Sequence, residues 1–109
     1  GTAAFRNCNS LTSIDIPEGV TSIGNFAFSR CGSLTNINIP ESVTNIENFA
    51  FESCSSLTSI DIPKNVTNIG IEAFKYCTNL EVVIDNSKDN VNVGRDAFNK
   101  CKSVTWLKE

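Results

Sequence analysis

The stretch AFSRCGSLTNINIPESVTNI, from Ala27 to Ile46, decides the fold, because it recurs about five times along the 109 residues. The copies align on phenylalanine, on cysteine and on leucine or valine, at Phe5, Phe28, Phe51, Phe74 and Phe98, at Cys8, Cys31, Cys54, Cys77 and Cys101, and at Leu11, Leu34, Leu57, Leu80 and Val104. Successive cysteines lie 23, 23, 23 and 24 residues apart. A fixed period of this length is typical of a solenoid, in which each coil buries its apolar face against its neighbours.

One segment of each copy has the alternation of a short strand. Ile37 and Ile39 alternate with Asn36 and Asn38, which predicts a strand with one buried face. Pro40 then ends the strand, because proline has no N–H to donate to a neighbouring strand.

A second extended segment and a turn complete the coil. In VTNI, residues 43–46, we expect Val43 and Ile46 to face inward. The spacing of Phe51, Cys54 and Leu57 predicts a helical or 3₁₀ turn whose phenylalanine and cysteine face the core. A single coil is too small to fold alone, whereas stacked coils bury these residues in continuous columns.

The bulk composition excludes several classes of protein. The net charge is −3 with only nine basic residues, so the chain lacks the basic stripe of a nucleic-acid-binding protein. No apolar run approaches the roughly eighteen residues of a transmembrane helix. The chain has no histidine and no GxGxxG, P-loop or GxSxG motif, so we expect neither an enzyme nor a cofactor.

The two ends of the chain are expected to expose apolar residues. The sequence opens halfway through a copy and without methionine, so we expect residues 1–109 to be a single domain that is a fragment of a longer repeat protein. The segment 3–5 at one end, and Val104, Trp106 and Leu107 at the other, do not form the polar caps that solenoids need. Either further repeats cover these edges, or the fragment associates with itself through its uncapped ends.

The five cysteines raise the question of a metal site or disulfides. Equivalent positions of stacked coils lie about 4.8 Å apart, beyond the roughly 3.5–4.5 Å between the Cβ atoms of a disulfide. A straight row of thiols also cannot surround one ion tetrahedrally, and no CxxC motif is present. The spacing therefore predicts a buried ladder of free thiols that pack as small apolar groups.

The fourth coil departs from the repeat, with LEVVIDNSKDNVNVG at residues 80–94 in place of LTSIDIPKNVTNIG. If Leu80 keeps its register, Val83 and Asp85 face inward, while Val82 and Ile84 face outward. A slip by one residue reverses this, and the sequence leaves both registers open. Residues 85–90 predict a surface turn; they lack the glycine and the distant glutamate of a calcium loop.

Nine positions of the second copy fit the pattern AFxxCxxLxxIxIPxxVxxIG, at Ala27, Phe28, Cys31, Leu34, Ile37, Ile39, Pro40, Val43 and Ile46. This pattern resembles the BspA-like, Treponema-type leucine-rich repeats over nearly the whole chain. The resemblance implies an α/β, right-handed leucine-rich-repeat solenoid of four to five coils, with parallel strands on a concave face and with short strands and 3₁₀ or helical turns on the convex side. It also implies an extracellular or cell-surface protein of bacteria that acts in adhesion or protein recognition. Some relatives are described as binding host matrix proteins such as fibronectin and fibrinogen.

The strands predict two columns of side chains on the concave face. On the Leu80 register, one column contains Ser13, Asn36, Ser59, Val82 and Trp106, and the other contains Asp15, Asn38, Asp61, Ile84 and Lys108. Both columns turn from polar to apolar toward the C-terminus, so Val82, Ile84 and Trp106 are candidate anchors for a protein ligand. Register slip or further repeats would remove this patch, and the polar columns would then be a solvated face. A protein-binding module is the favoured function, and a structural spacer that binds nothing is the alternative.

Overall fold

A computed structural model describes residues 6–108 as a stack of short parallel strands joined by turns. Ala3, Ala4 and Phe5, which carry part of the predicted N-terminal edge, lie outside the described residues. Each of the first four coils supplies one strand to each of two faces, and the fifth supplies β9 to the first face. The strands of the first face are β1 (Ser13–Asp15), β3 (Asn36–Asn38), β5 (Ser59–Ile62), β7 (Glu81–Ile84) and β9 (Ser103–Trp106). The strands of the second face are β2 (Ser22–Ile23), β4 (Asn45–Ile46), β6 (Asn68–Ile69) and β8 (Asn92–Val93).

All paired strands are parallel and in the register that the repeat predicts for the first three coils. Ile14 pairs with Ile37, and Ile23 pairs with Ile46. The second face is one sheet in the order β2-β4-β6-β8, whereas the first face is divided into β1-β3 and β5-β7-β9. The predicted leucine-rich-repeat solenoid with little helix is confirmed; within residues 6–108 the only helical segment is the 3₁₀ turn Lys88–Asn90.

Columns of identical side chains fill the space between the two faces. The rings of Phe28, Phe51, Phe74 and Phe98 stack with centroid distances of 5.3, 5.1 and 5.8 Å. Phe51 and Phe74 are fully buried. Because each ring contacts the equivalent ring of the next coil, burial depends on stacking rather than on contacts inside one coil.

The cysteines form a second column beside the phenylalanines, as the sequence predicts. Cys31, Cys54 and Cys77 are buried, while Cys8 and Cys101 at the two ends are half-buried. The Cys54 thiol donates to the Phe28 carbonyl oxygen at 3.1 Å, and the Cys77 thiol donates to the Phe51 carbonyl oxygen at 3.0 Å. Each thiol therefore links its own coil to the preceding one.

The convex turns are tighter than a helix. Ala27 N–H donates to the Gly24 carbonyl, and Ser29 N–H donates to the Phe26 carbonyl, which is the i→i−3 pattern of a 3₁₀ turn. Phe26 and Arg30, however, have φ angles of 59° and 61°, in the left-handed region, so the turns cannot join into a helix. The same left-handed backbone recurs in other coils, at Asn7, Phe49, Ser53, Glu72, Tyr76, Asp96 and Lys100.

The fourth coil adopts the slipped register. Ile60 pairs with Val82 and Ile62 pairs with Ile84. The strand therefore begins one residue closer to Leu80 than the strand of the third coil does to its leucine. The register anchored on Leu80 is therefore wrong: Val82 and Ile84 are fully buried. The slip keeps Asp85 out of the apolar core, where an unpaired carboxylate would be costly.

In this coil the connection that precedes the strand is shorter, and the turn that follows the strand is longer. Residues 85–90 form the predicted turn, which includes the 3₁₀ segment Lys88–Asn90. Lys88, Asp89 and Asn90 are exposed, whereas Ser87 is buried. After this turn β8 returns to the second sheet, where Ile69 pairs with Val93.

The fifth coil shifts further. Val104 pairs with Val82 and Trp106 pairs with Ile84, so Val104 occupies the isoleucine column and not the leucine column that its distance from Cys101 suggests. The segment between the cysteine and the strand has four residues in each of the first three coils and three in the fourth, and in the fifth only Lys102 separates Cys101 from Ser103. Because strand pairing fixes the register here, the cysteine and phenylalanine columns persist despite this shortening.

Candidate functional site

The candidate site is the concave face, which we define as the solvent-facing side of β1, β3, β5, β7 and β9. Its first column contains Ser13, Asn36, Ser59, Glu81 and Ser103. Its second column contains Asp15, Asn38, Asp61, Val83 and Thr105. The six positions predicted on the first three coils all lie on this face and are exposed.

Three of the predicted concave residues face the core instead. Val82 and Ile84 are fully buried, so neither is available as an anchor for a ligand. Trp106 pairs with Ile84 and is half-buried among the core residues. Each of these predictions is wrong for the same reason, which is that the strands of the last two coils are shifted relative to the cysteine column.

The side chains that replace them are Glu81, Val83, Ser103 and Thr105, which the sequence interpretation missed. The segment Glu81–Ile84 has the exposure pattern of alternating exposed and buried residues. A polar residue at Glu81 was the available signal, because a glutamate at the first strand position favours the register in which that position faces water. Leu107, 57% exposed, lies beyond β9 and adds an apolar side chain to this end of the molecule.

A seam divides the concave face between β3 and β5. Thr35 N–H donates to the Thr12 carbonyl at 2.9 Å, and Glu81 N–H donates to the Thr58 carbonyl at 2.9 Å. The equivalent hydrogen bond, from Thr58 N–H to the Thr35 carbonyl, is absent from the described part of the chain. The strands β3 and β5 accordingly belong to different sheets. The backbone ladder of the concave face is therefore interrupted between β3 and β5.

Two adjoining depressions follow the seam. The first has a volume of about 310 Å³ and is lined by residues of both coils, at Asn36, Ile37, Asn38, Ile39, Ser59, Ile60 and Asp61. The second, of about 350 Å³, extends toward the fourth and fifth coils and is lined by Asn38, Ile39, Glu41, Asp61, Ile62, Pro63, Val83, Asp85 and Leu107. Asn38, Ile39 and Asp61 border both depressions, which are therefore neighbours, and we refer to the two together as the groove.

Proline at the end of the early strands removes one ladder bond at the seam. In the fourth and fifth coils the ladder continues, because Asp85 N–H donates to the Ile62 carbonyl at 3.1 Å and Leu107 N–H donates to the Ile84 carbonyl at 2.9 Å. Pro63 occupies the equivalent position in the third coil and has no N–H for the Ile39 carbonyl. Pro40 removes the same bond in the second coil, where β1 and β3 still pair, so proline alone does not produce the seam.

Charge is distributed unevenly along the concave side. In the later coils the carboxylates are paired, with Glu81 and Lys102 at 3.3 Å and Asp85 and Lys108 at 2.6 Å. In the described part of the chain Asp15 and Asp61 have no ion pair and accept no hydrogen bond from another side chain. The seam therefore lies in the half of the face whose negative charge is not neutralised.

Three thiols of the column have a raised pKa. Burial raises the pKa of Cys31 to about 11, and burial likewise raises the pKa of Cys101 to about 11. Hydrogen bonding with Cys54, together with burial, raises the pKa of Cys77 as well. Because the thiolate is the reactive form, a raised pKa lowers the reactivity of these three thiols at neutral pH.

A further depression of about 560 Å³ lies beside the last strand, bordered by Val104, Trp106 and Leu107 together with Lys88 and Lys108. Self-association through this end stays a prediction. No group of three or more His, Cys, Asp or Glu side chains within residues 6–108 is arranged to hold a metal ion. The described segment also contains no helix long and apolar enough to cross a membrane.

Known structures share this architecture. A leucine-rich repeat protein from Bacteroides ovatus is 36% identical, with a TM-score of 0.82 over 92% of this chain and 25% of its own length. The Treponema pallidum leucine-rich repeat protein is 34% identical, with a TM-score of 0.85 over 94% of this chain and 49% of its own. A leucine-rich cell surface protein from Faecalibacterium prausnitzii is 25% identical, with a TM-score of 0.70 over 94% of this chain and 43% of its own. No curated protein sequence matches significantly.

This chain is thus shorter than the relatives it matches, since it spans a quarter to a half of their length. The repeat itself identifies the family. The pattern of the BspA type leucine-rich repeat region matches residues 1–105 in six copies. The chain therefore belongs to the BspA-type leucine-rich-repeat family.

Proposed function

We propose that the chain is a non-enzymatic protein-binding module of a bacterial surface or secreted protein, and that it binds through the concave face. The observation that carries this proposal is the groove along the seam, in which exposed polar side chains of two coils converge where the backbone ladder is interrupted. Family membership supports a non-enzymatic role. The Faecalibacterium relative, a cell surface protein, supports the location.

The shape of the face also supports recognition of a protein. Two columns of short side chains, many of them Ser, Thr, Asn or Asp, present donors and acceptors at the regular spacing of the strands. Val83 and Leu107 add apolar surface beside the polar columns. A mixture of a small apolar area and a polar surround is typical of protein interfaces.

The first test is binding of the purified chain to a panel of matrix proteins, fibronectin and fibrinogen included, by biolayer interferometry. Asn38→Arg places a long cationic side chain in the groove, whereas Asn92→Arg places the same side chain on β8, at the second sheet. Both positions are exposed, so both variants are expected to fold. We expect saturable binding that Asn38→Arg weakens about tenfold or more and that Asn92→Arg leaves unchanged.

The controls separate the possible outcomes. Circular dichroism establishes that each variant keeps the strand content of the parent chain. Equal binding by both variants would show that the concave face is not the site. If the folded chain binds none of the proteins, the adhesion proposal is wrong for this chain, and the repeats act as a structural spacer.

A further inference from the structure

The seam between β3 and β5 carries a cluster of hydrogen-bond acceptors, beside the donors of its amide and hydroxyl side chains. Asn36, Asn38, Ser59 and Asp61 border the first depression, and their oxygen atoms can all accept hydrogen bonds. The carbonyl of Thr35 faces the seam without the amide partner that its equivalents have. A ligand that carries several N–H groups would satisfy these acceptors at one place.

The charge of the groove selects a cation. Asp61 borders both depressions and has no basic partner among residues 6–108. Glu41 borders the second depression and likewise has no basic partner among these residues. The carboxylates farther along the face differ, because Lys102 and Lys108 already neutralise Glu81 and Asp85. An incoming positive charge is therefore attracted to the seam more than to the later coils.

We propose that the groove binds the arginine side chain of an extended basic segment of a partner protein, with Asp61 as its counter-ion. This proposal rests on the proposed function and specifies the partner's chemistry. A guanidinium group carries five donors in a planar fork, which suits a carboxylate flanked by amide and hydroxyl oxygens. A lysine ammonium group brings fewer donors and no planar geometry.

The second depression can hold the methylene stem of the partner's arginine side chain. Ile39, Val83 and Leu107 border it, so the methylene stem of an arginine can pack against apolar groups while its charged end reaches Asp61. The combined groove runs from the second coil toward the fifth. It therefore accommodates neighbouring residues of an extended segment as well as the arginine.

The test is a nuclear magnetic resonance titration of the ¹⁵N-labelled chain with the blocked tripeptide acetyl-Gly-Arg-Gly-amide. The matched probes replace arginine by lysine or by citrulline, which keeps the shape and removes the charge. We expect saturable shifts at the amides of β3 and β5, weaker binding of the lysine peptide, and no saturation with the citrulline peptide. Equal shifts with citrulline, or no saturable shift up to tens of millimolar peptide, would overturn the proposal.

Three variants locate the counter-ion. Asp61→Asn should weaken binding of the arginine peptide about tenfold, whereas Asp96→Asn, the same change at an exposed residue of a convex turn, should leave it unchanged. Asn38→Asp adds a carboxylate to the groove and should tighten binding, which a variant that merely misfolds cannot do. Equal effects of Asp61→Asn and Asp96→Asn would show that general surface charge, and not the groove, attracts the peptide.

The two proposals fail independently. If a matrix protein binds the concave face but the arginine peptide does not, the binding module stands and arginine recognition is wrong. If the peptide binds as described but Asn38→Arg weakens the binding of no matrix protein, arginine recognition stands and the proposed function fails.

Discussion

The two strand faces of this solenoid come from equally repetitive sequence, yet only one of them forms an uninterrupted sheet. On the second face β2, β4, β6 and β8 pair in one ladder, and on the concave face the ladder stops between β3 and β5. The coils on either side of the seam nevertheless stay stacked, because Phe28 and Phe51 keep a centroid distance of 5.3 Å. Side-chain columns and one ladder are thus sufficient to hold two coils together where the other ladder is interrupted.

The largest difference in stability between the two faces is expected at their isoleucines. Ile46 on β4 is fully buried, and Ile37 on β3 borders the seam. We expect Ile46→Ala to lower the free energy of unfolding by about 3–4 kcal/mol and Ile37→Ala by about 1–2 kcal/mol, since water and neighbouring groups can occupy space next to an open groove. Urea denaturation measures both. An equal or larger loss at Ile37 would mean that the seam contributes as much packing as the continuous sheet.

The cysteine thiols connect neighbouring coils without taking part in either sheet, and their contribution to stability can be tested by changing pH. Well below pH 9 the thiols of Cys31 and Cys101 keep their protons in both the folded and the unfolded chain, so these two groups do not make stability depend on pH there. Because burial raises the pKa of Cys31 and Cys101 from 9.0 to about 11, the unfolded chain releases protons between these values while the folded chain retains them. Stability should therefore fall as pH rises from 9 to 11, by up to about 1.4 kcal/mol per pH unit for each thiol.

The control for this prediction is Cys31→Ala, which removes one of the thiols whose pKa is raised. The slope of unfolding free energy against pH, measured by urea denaturation, should be smaller for this variant than for the parent chain. An unchanged slope would assign the alkaline loss to other groups.

Hydrogen exchange sharpens the comparison at single amides. Thr35 and Glu81 donate to the preceding coil at 2.9 Å, whereas Thr58, at the seam, has no such acceptor. We expect the Thr58 amide to exchange about tenfold faster or more than those of Thr35 and Glu81. Equal protection of the three amides would contradict an open seam. The arginine tripeptide should slow exchange at Thr58 if it occupies the groove.

The smallest expected effect concerns the ion pairs of the last coils. The Lys102–Glu81 pair is largely exposed, with the side chains 65% and 54% accessible. Lys102→Ala should change the free energy of unfolding by less than about 0.5 kcal/mol, because exposed ion pairs contribute little. A change well above 1 kcal/mol would mean that charge, and not packing, holds β9 on β7.

Repetition made the first three coils predictable, and the loss of repetition made the last two ambiguous. Phe51, Cys54 and Ile60 lie where their period places them, because each must contact its equivalent in the next coil. The same reasoning failed at Val82 and Ile84, since it assumed that Leu80 and the strand keep a fixed distance. The strand instead follows backbone pairing with β5, and the turn before it absorbs the difference.

The seam lies beyond sequence analysis for a different reason. Coils two and three carry nearly the same residues, with Asn36 and Asn38 in one and Ser59 and Asp61 in the other. Proline at the strand end occurs in the first coil as well, where β1 and β3 still pair. The separation of β3 from β5 is therefore a property of how whole coils stack, which no single side chain encodes.

The left-handed residues of the convex turns bear on how such arrays change length. Backbone of this kind costs on the order of 1 kcal/mol for each residue other than glycine, and the described coils repeat it at equivalent places, among them Phe26, Phe49 and Glu72. Duplication of a complete coil copies the strained turn together with the aromatic stacking that offsets it. Duplication of part of a coil would copy the strain alone. Gene variants that lengthen or shorten the array are therefore expected to differ by whole coils.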